Sequence, residues 1–141
     1  MPANPLASTE AYEALIYNLP DVFPCIQMST LVVAGVGPAT AVVRGEVHFD
    51  QGMYLRVLEV VNFRQRRIER YGYELWRGNE ELWWYDSWSH PDLPDLRSTD
   101  PHHKHIPPDI KHHRVPAPGM SFIAPNLPSL LREVEEEWLR K

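Results

Sequence analysis

Four stretches with strand character follow one another at residues 39–49, 53–63, 68–76 and 81–88, and the links between them are short. Asp50-Gln51-Gly52 and Arg77-Gly78-Asn79 are turn-prone, each with a glycine that can take positive φ. Strands joined this tightly pair antiparallel, because a parallel crossover needs a much longer connection. The spacing therefore predicts a four-stranded antiparallel meander.

Helices are expected at both ends of the chain. Ser8-Thr9-Glu10 can cap a short helix with apolar side Ala11, Tyr12, Leu15, Ile16 and Leu19, and Asn18-Leu19-Pro20 stops it. At the other end Asn126 can cap a helix in which Leu127, Leu130, Leu131, Val134 and Trp138 recur as one buried face. The stretch 22–43 has no charged residue and approaches the length of a bilayer span. Gly35-Val36-Gly37-Pro38 divides it, and the expectation is two extended segments with a turn and no membrane span. Residues 89–125 are proline-rich and poor in apolar side chains, which predicts an ordered loop over the sheet. The fold class is α+β, as a single domain over residues 1–141.

Composition narrows the function. A net charge of −5 argues against binding nucleic acid by bulk charge. One local basic patch remains, formed by Arg64, Arg66, Arg67 and Arg70. The single cysteine, Cys25, permits no intramolecular disulfide and no paired-thiolate zinc finger, and it fits a reducing compartment. It follows Pro24 in an apolar stretch and reads as a structural thiol. With no basic start before an apolar run, the expected location is the cytoplasm.

Alternation places two acids in apolar rows. Glu59 shares a strand face with Leu55, Val57 and Val61, and Asp86 shares one with Leu82, Trp84 and Trp88. Each needs a partner if buried, with histidine and arginine as the candidates, or else lies at a strand end facing water. Tyr71, Tyr73 and Leu75 fall on one side of the third strand and Arg70 on the other. Tyrosines in such a row serve packing, or steady a developing charge where the face opens toward the histidines.

Four of the seven histidines lie between residues 84 and 105. Pro101 and Pro107-Pro108 exclude a helix there, and in an extended chain His103 and His105 face one side roughly 6–7 Å apart while Lys104 points away. That spacing suits a base and an acid flanking an RNA phosphodiester, whose 2′-hydroxyl attacks the adjacent phosphorus. It also suits a divalent metal such as zinc, held by His103, His105 and His90 with Asp86 or Glu59. A third reading is a loop pinned by imidazole hydrogen bonds. His112 and His113 align with none of this and read as surface residues.

Several segments together resemble the TumE-type toxin family of small bacterial and archaeal proteins. They are Leu55-Arg56-Val57-Leu58-Glu59-Val60, Arg70-Tyr71-Gly72-Tyr73-Glu74-Leu75, Trp84-Tyr85-Asp86, Ser89-His90 and Pro101-His102-His103-Lys104-His105. A closing acidic amphipathic helix completes the resemblance, which covers about residues 39–140. It implies a toxin of a type II toxin–antitoxin pair, proposed to act as a ribonuclease and neutralised by a helix-turn-helix antitoxin. The site residues it implies are Glu59, Arg70, Tyr71, Tyr73, Asp86, His90, His103 and His105. Trp84 and Ser87 stand where that family commonly has arginine and asparagine. Together with the residue pattern, the expectation is metal-independent cleavage of RNA. Asp86 orients a histidine, His103 and His105 exchange protons, and Arg70 with Lys104 holds phosphate. The rival is a non-catalytic or metal-binding interaction module.

Overall fold

The computed structural model describes residues 4–87, 102–107, 114–117 and 119–139. His90, Trp88, Ser89, Pro101, His112 and His113 lie outside these. The expected meander is present as β3 (Thr40–His48), β4 (Met53–Asn62), β5 (Arg67–Arg77) and β6 (Glu80–Asp86). At the first turn Gln51 and Gly52 both take positive φ, 65° and 71°, as a tight hairpin matched to strand twist demands.

The described residues form eight strands where four were expected. Preceding the meander are β1 (Met28–Ser29) and β2 (Val32–Gly35), and following it are β7 (His103–His105) and β8 (Arg114–Pro116). Their order is β1-β3-β4-β5-β6-β7-β8, with β2 also paired to β3, and every pairing is antiparallel. The four-stranded expectation is corrected accordingly. At one edge the uncharged segment folds back on β3, and Gly45 makes this possible. A Cβ there would lie 2.6 Å from the Thr30 carbonyl oxygen, and its φ is 140°. At the other edge, the segment read as a loop supplies two three-residue strands. Prolines forbid a helix but tolerate short edge strands, and Pro116 sits in one.

Both helical regions cover one face. They are α1 (Thr9–Tyr17), α2 (Leu19–Val22) and α3 (Leu127–Glu133), the last continuing as π-helical turns over Val134–Leu139. Ser8 Oγ accepts from the Ala11 N–H, the expected cap. Asn126 occupies the N-cap of α3, but its side chain bonds to Ser121 and Tyr73 instead. Under the helices Val43, Leu55, Val57, Tyr73, Leu75 and Trp83 meet Tyr12, Ile16, Leu127 and Leu130 in a continuous core. The opposite face is exposed or half-buried along all four central strands.

One bulge decides which side chains reach that open face. Pairing steps from Trp76↔Glu81 to Leu75↔Trp83, which leaves Leu82 as an extra, buried residue. Trp83 and Tyr85 turn inward, and Trp84 and Asp86 outward. Alternation from Leu82 to Asp86 therefore does not hold, although Trp84 and Asp86 do share a face.

Candidate active site on the open face of the sheet

Cross-strand registry assembles the site. On the open face one row runs Arg44, Leu58, Gly72, Asp86, His103, and the next runs Glu46, Arg56, Glu74, Trp84, His105. Strands β6 and β7 thus set both imidazoles beside one carboxylate. His103 Nε2 lies 2.5 Å from Asp86 Oδ1, and His105 Nε2 lies 3.6 Å from Asp86 Oδ2. The imidazole rings are 4.9 Å apart between centroids. Trp84 donates its indole N–H to Asp86 Oδ2 at 2.9 Å and packs its ring on His105 at 3.8 Å. This role of Trp84 escaped the sequence reading, because an indole two positions from a carboxylate on one strand face looks like ordinary packing.

Burial grades the cluster. His103 is fully buried and His105 nearly so, whereas the Asp86 side chain is 27% exposed. The carboxylate opens onto a groove of about 730 Å³ whose lining includes Arg44, Arg56, Leu58, Gly72 and Trp84. Gly72 is its floor: a Cβ there meets nothing within 4 Å.

Asp86, His103 and His105 also bring their ligand-type atoms within 4.8 Å of one another, a set of three metal donors. Two donors sharing a zinc ion sit about 3 Å apart or more. The 2.5 Å separation between His103 Nε2 and Asp86 Oδ1 suits a shared proton better, and a metal would have to part them.

The remaining predicted residues lie elsewhere. Glu59 is fully buried on the inner face, two strands from Asp86 and on the other side of the sheet. Tyr12 donates to its Oε1 at 2.5 Å and Tyr73 donates to Oε2. Its partners are tyrosines, not the histidines or arginines expected. Asn126 in turn donates to Tyr73 Oη at 3.2 Å, so this network ties α1, β4, β5 and α3 together. Burial pushes the Glu59 carboxyl above its ordinary range, and the two tyrosine hydrogen bonds only partly offset that. Both tyrosine hydroxyls are likewise pushed up, chiefly by burial, so they remain donors.

Tyr71 also points inward and its hydroxyl meets His102 Nδ1 at 2.5 Å. Burial, then the nearby His103, lowers His102, while burial and Asp86 raise Tyr71. The hydroxyl is therefore the donor and His102 a neutral acceptor, its ring stacked on Tyr71 and tilted against Phe122. Lys104 points away from both site imidazoles, as alternation requires. Its ammonium lies 3.3 Å from Glu133 Oε2 and about 5 Å from the Tyr85 ring, on the helix side. Tyr85 donates to the other oxygen of Glu133. Arg70 is exposed on the open face, beyond Gly72.

An antiparallel sheet with helices on one side and a carboxylate–imidazole cluster on the other defines an α+β protein with a candidate active site at one end of its open face. The model of the family described as Toxin TumE matches residues 22–138, so the chain belongs to the TumE toxin family. That membership makes it a toxin of the toxin–antitoxin kind and implies an antitoxin partner. A search of curated proteins and a search of solved structures each return no match. No helix among the described residues is long and apolar enough to cross a membrane.

Proposed function

We propose that this toxin is an endoribonuclease that cleaves RNA in the cytoplasm without a metal, and that a helix-turn-helix antitoxin neutralises it. The observation that carries this reading is the partly exposed Asp86 carboxylate, backed by two imidazoles and fronting an open groove. Asp86, coupled to His103, takes the proton of a 2′-hydroxyl as that oxygen attacks the adjacent phosphorus. His105, protonated beforehand, gives a proton to the 5′-oxygen as the P–O5′ bond breaks. The products are a 2′,3′-cyclic phosphate and a free 5′-hydroxyl. Among the described residues, Arg44, Arg56 and Arg70 put cations on this face for the phosphate.

The test is cleavage of labelled cellular RNA by wild type, His103→Ala and His105→Ala, with and without EDTA. Cleavage that resists EDTA, leaves cyclic phosphate ends and disappears in both variants is the expected result. Cleavage that requires added metal would move Asp86, His103 and His105 to the metal-site reading, which their three converging donors support. No cleavage by folded wild type would leave the interaction module.

A further inference from the structure

Beside the groove the open face carries a second pattern, unused by the chemistry above. His48, Tyr54 and Trp76 stand opposite one another on β3, β4 and β5. His48 and Tyr54 stack with centroids 5.5 Å apart, and Tyr54 and Trp76 lie 6.4 Å apart with planes within 5°. One row nearer the groove, the Arg56 guanidinium lies 6.0 Å from the Tyr54 ring and 5.7 Å from that of Trp76. All three ring-bearing residues are partly exposed, and the Arg56 side chain is half exposed. A core would bury such rings, and the helices among the described residues cover the opposite face.

We infer that His48, Tyr54 and Trp76, with Arg56 and Arg44, form a single-stranded RNA platform that leads bases and phosphates toward Asp86. The inference rests on the proposed nuclease for its direction, and on ring geometry for its ligand. Exposed rings on a sheet face, interleaved with guanidinium groups, take bases by stacking, whatever their identity. Trp84, packed at a tilt on His105 at the groove, continues the aromatic surface to the reacting end. The charge balance favours stacking over phosphate attraction as the main contribution. Glu46 sits 3.0 Å from His48 and 3.6 Å from Arg56, and Glu74 flanks the groove, so the surface is nearly neutral. A protein of net charge −5 can hold RNA this way without a broad basic patch.

The test uses a fluorescein-labelled twelve-nucleotide RNA of mixed sequence, 2′-O-methylated so that it has no nucleophile and binding is read apart from cleavage. Fluorescence anisotropy on the full chain should show saturable binding. Tyr54→Leu and Trp76→Leu should each weaken it about ten-fold, with Trp76→Phe restoring most of the loss. Two phosphate contacts, through Arg44 and Arg56, give an expected slope of log K against log salt of about −1.4. Circular dichroism melting of each variant separates lost binding from lost folding, and the Phe variant and the wild-type salt slope speak to the platform even where a Leu variant does not fold. Absent wild-type binding overturns the inference, as does undiminished binding by a folded Tyr54→Leu/Trp76→Leu protein. A platform that serves the antitoxin instead would show as that double variant holding RNA normally but failing to retain the antitoxin. Cleavage of unmodified RNA is scored separately, so an inactive protein with ring-dependent binding refutes only the nuclease.

Discussion

Glu59 on the inner face of this sheet and Asp86 on the open face are both carboxylates held by side-chain partners, and those partners make them different objects. Glu59 sits between Tyr12 and Tyr73, whose hydroxyls burial keeps protonated at any ordinary pH. Such donors can hold an acid in place but cannot exchange protons with it near neutrality. Asp86 sits against the imidazoles of His103 and His105, the side-chain type most used for proton transfer. It also touches a groove, whereas Glu59 touches only core. A buried acid is therefore a poor sign of chemistry by itself, and the kind of group facing it decides.

The largest expected effects come from removing either acid. Asp86→Asn should lower RNA cleavage by about 10²–10⁴-fold, the usual worth of a positioned proton-transfer group, while melting changes little. Glu59→Leu should do the reverse. It leaves two buried tyrosine hydroxyls without their acceptor and should cost about 3 kcal/mol of stability by denaturant titration, with the folded fraction still active. Loss of stability in the first and of turnover in the second would invert the assignment of the two faces.

Gly72→Val tests the open face without touching either acid. The new side chain enters open space on the groove floor, so the fold should hold while cleavage falls at least about ten-fold through displaced substrate. An unchanged rate would show that substrate does not use this groove.

A smaller and more specific effect is pH dependence. Burial raises the Glu59 carboxyl above the 4.5 it has in an unfolded chain. The protonated form is favoured in the fold, so stability from this group is full below pH 4.5 and is lost as pH rises through the raised value. Glu59→Gln removes that loss. Its melting temperature relative to wild type should rise as pH climbs from 4.5 through the raised value, and a parallel pair of curves would contradict the raised carboxyl. The smallest effect is Lys104→Met. Its ion pair with Glu133 is mostly shielded yet not dry, and about 1 kcal/mol is expected.

The meander was legible because local signals carry it: alternation, and glycine at turns that need positive φ. The two imidazoles on one side of Lys104 were legible for the same reason, since parity in an extended segment needs no tertiary information. What escaped depends on distant residues. Tyr12 reaches Glu59 from 47 positions away, and nothing in strand alternation announces a helix tyrosine above a strand glutamate. The Leu82 bulge reverses inside and outside between Glu81 and Trp83, against the simple period of two. The prolines around residues 101–118 signalled irregular chain, and they do forbid helix. They also leave stretches of three residues free to extend a sheet edge, too short for any periodicity to register.

Lys104 has a consequence larger than its energy. In a three-residue strand reading His-Lys-His, odd and even positions carry opposite chemistry, and only the parity of pairing says which faces the groove. Asp86 grips the odd positions from one side and Glu133 grips the even one from the other. A slip of one residue would send both imidazoles under the helix and an ammonium into the groove, so the two carboxylates act as a frame check on the shortest functional strand of the sheet.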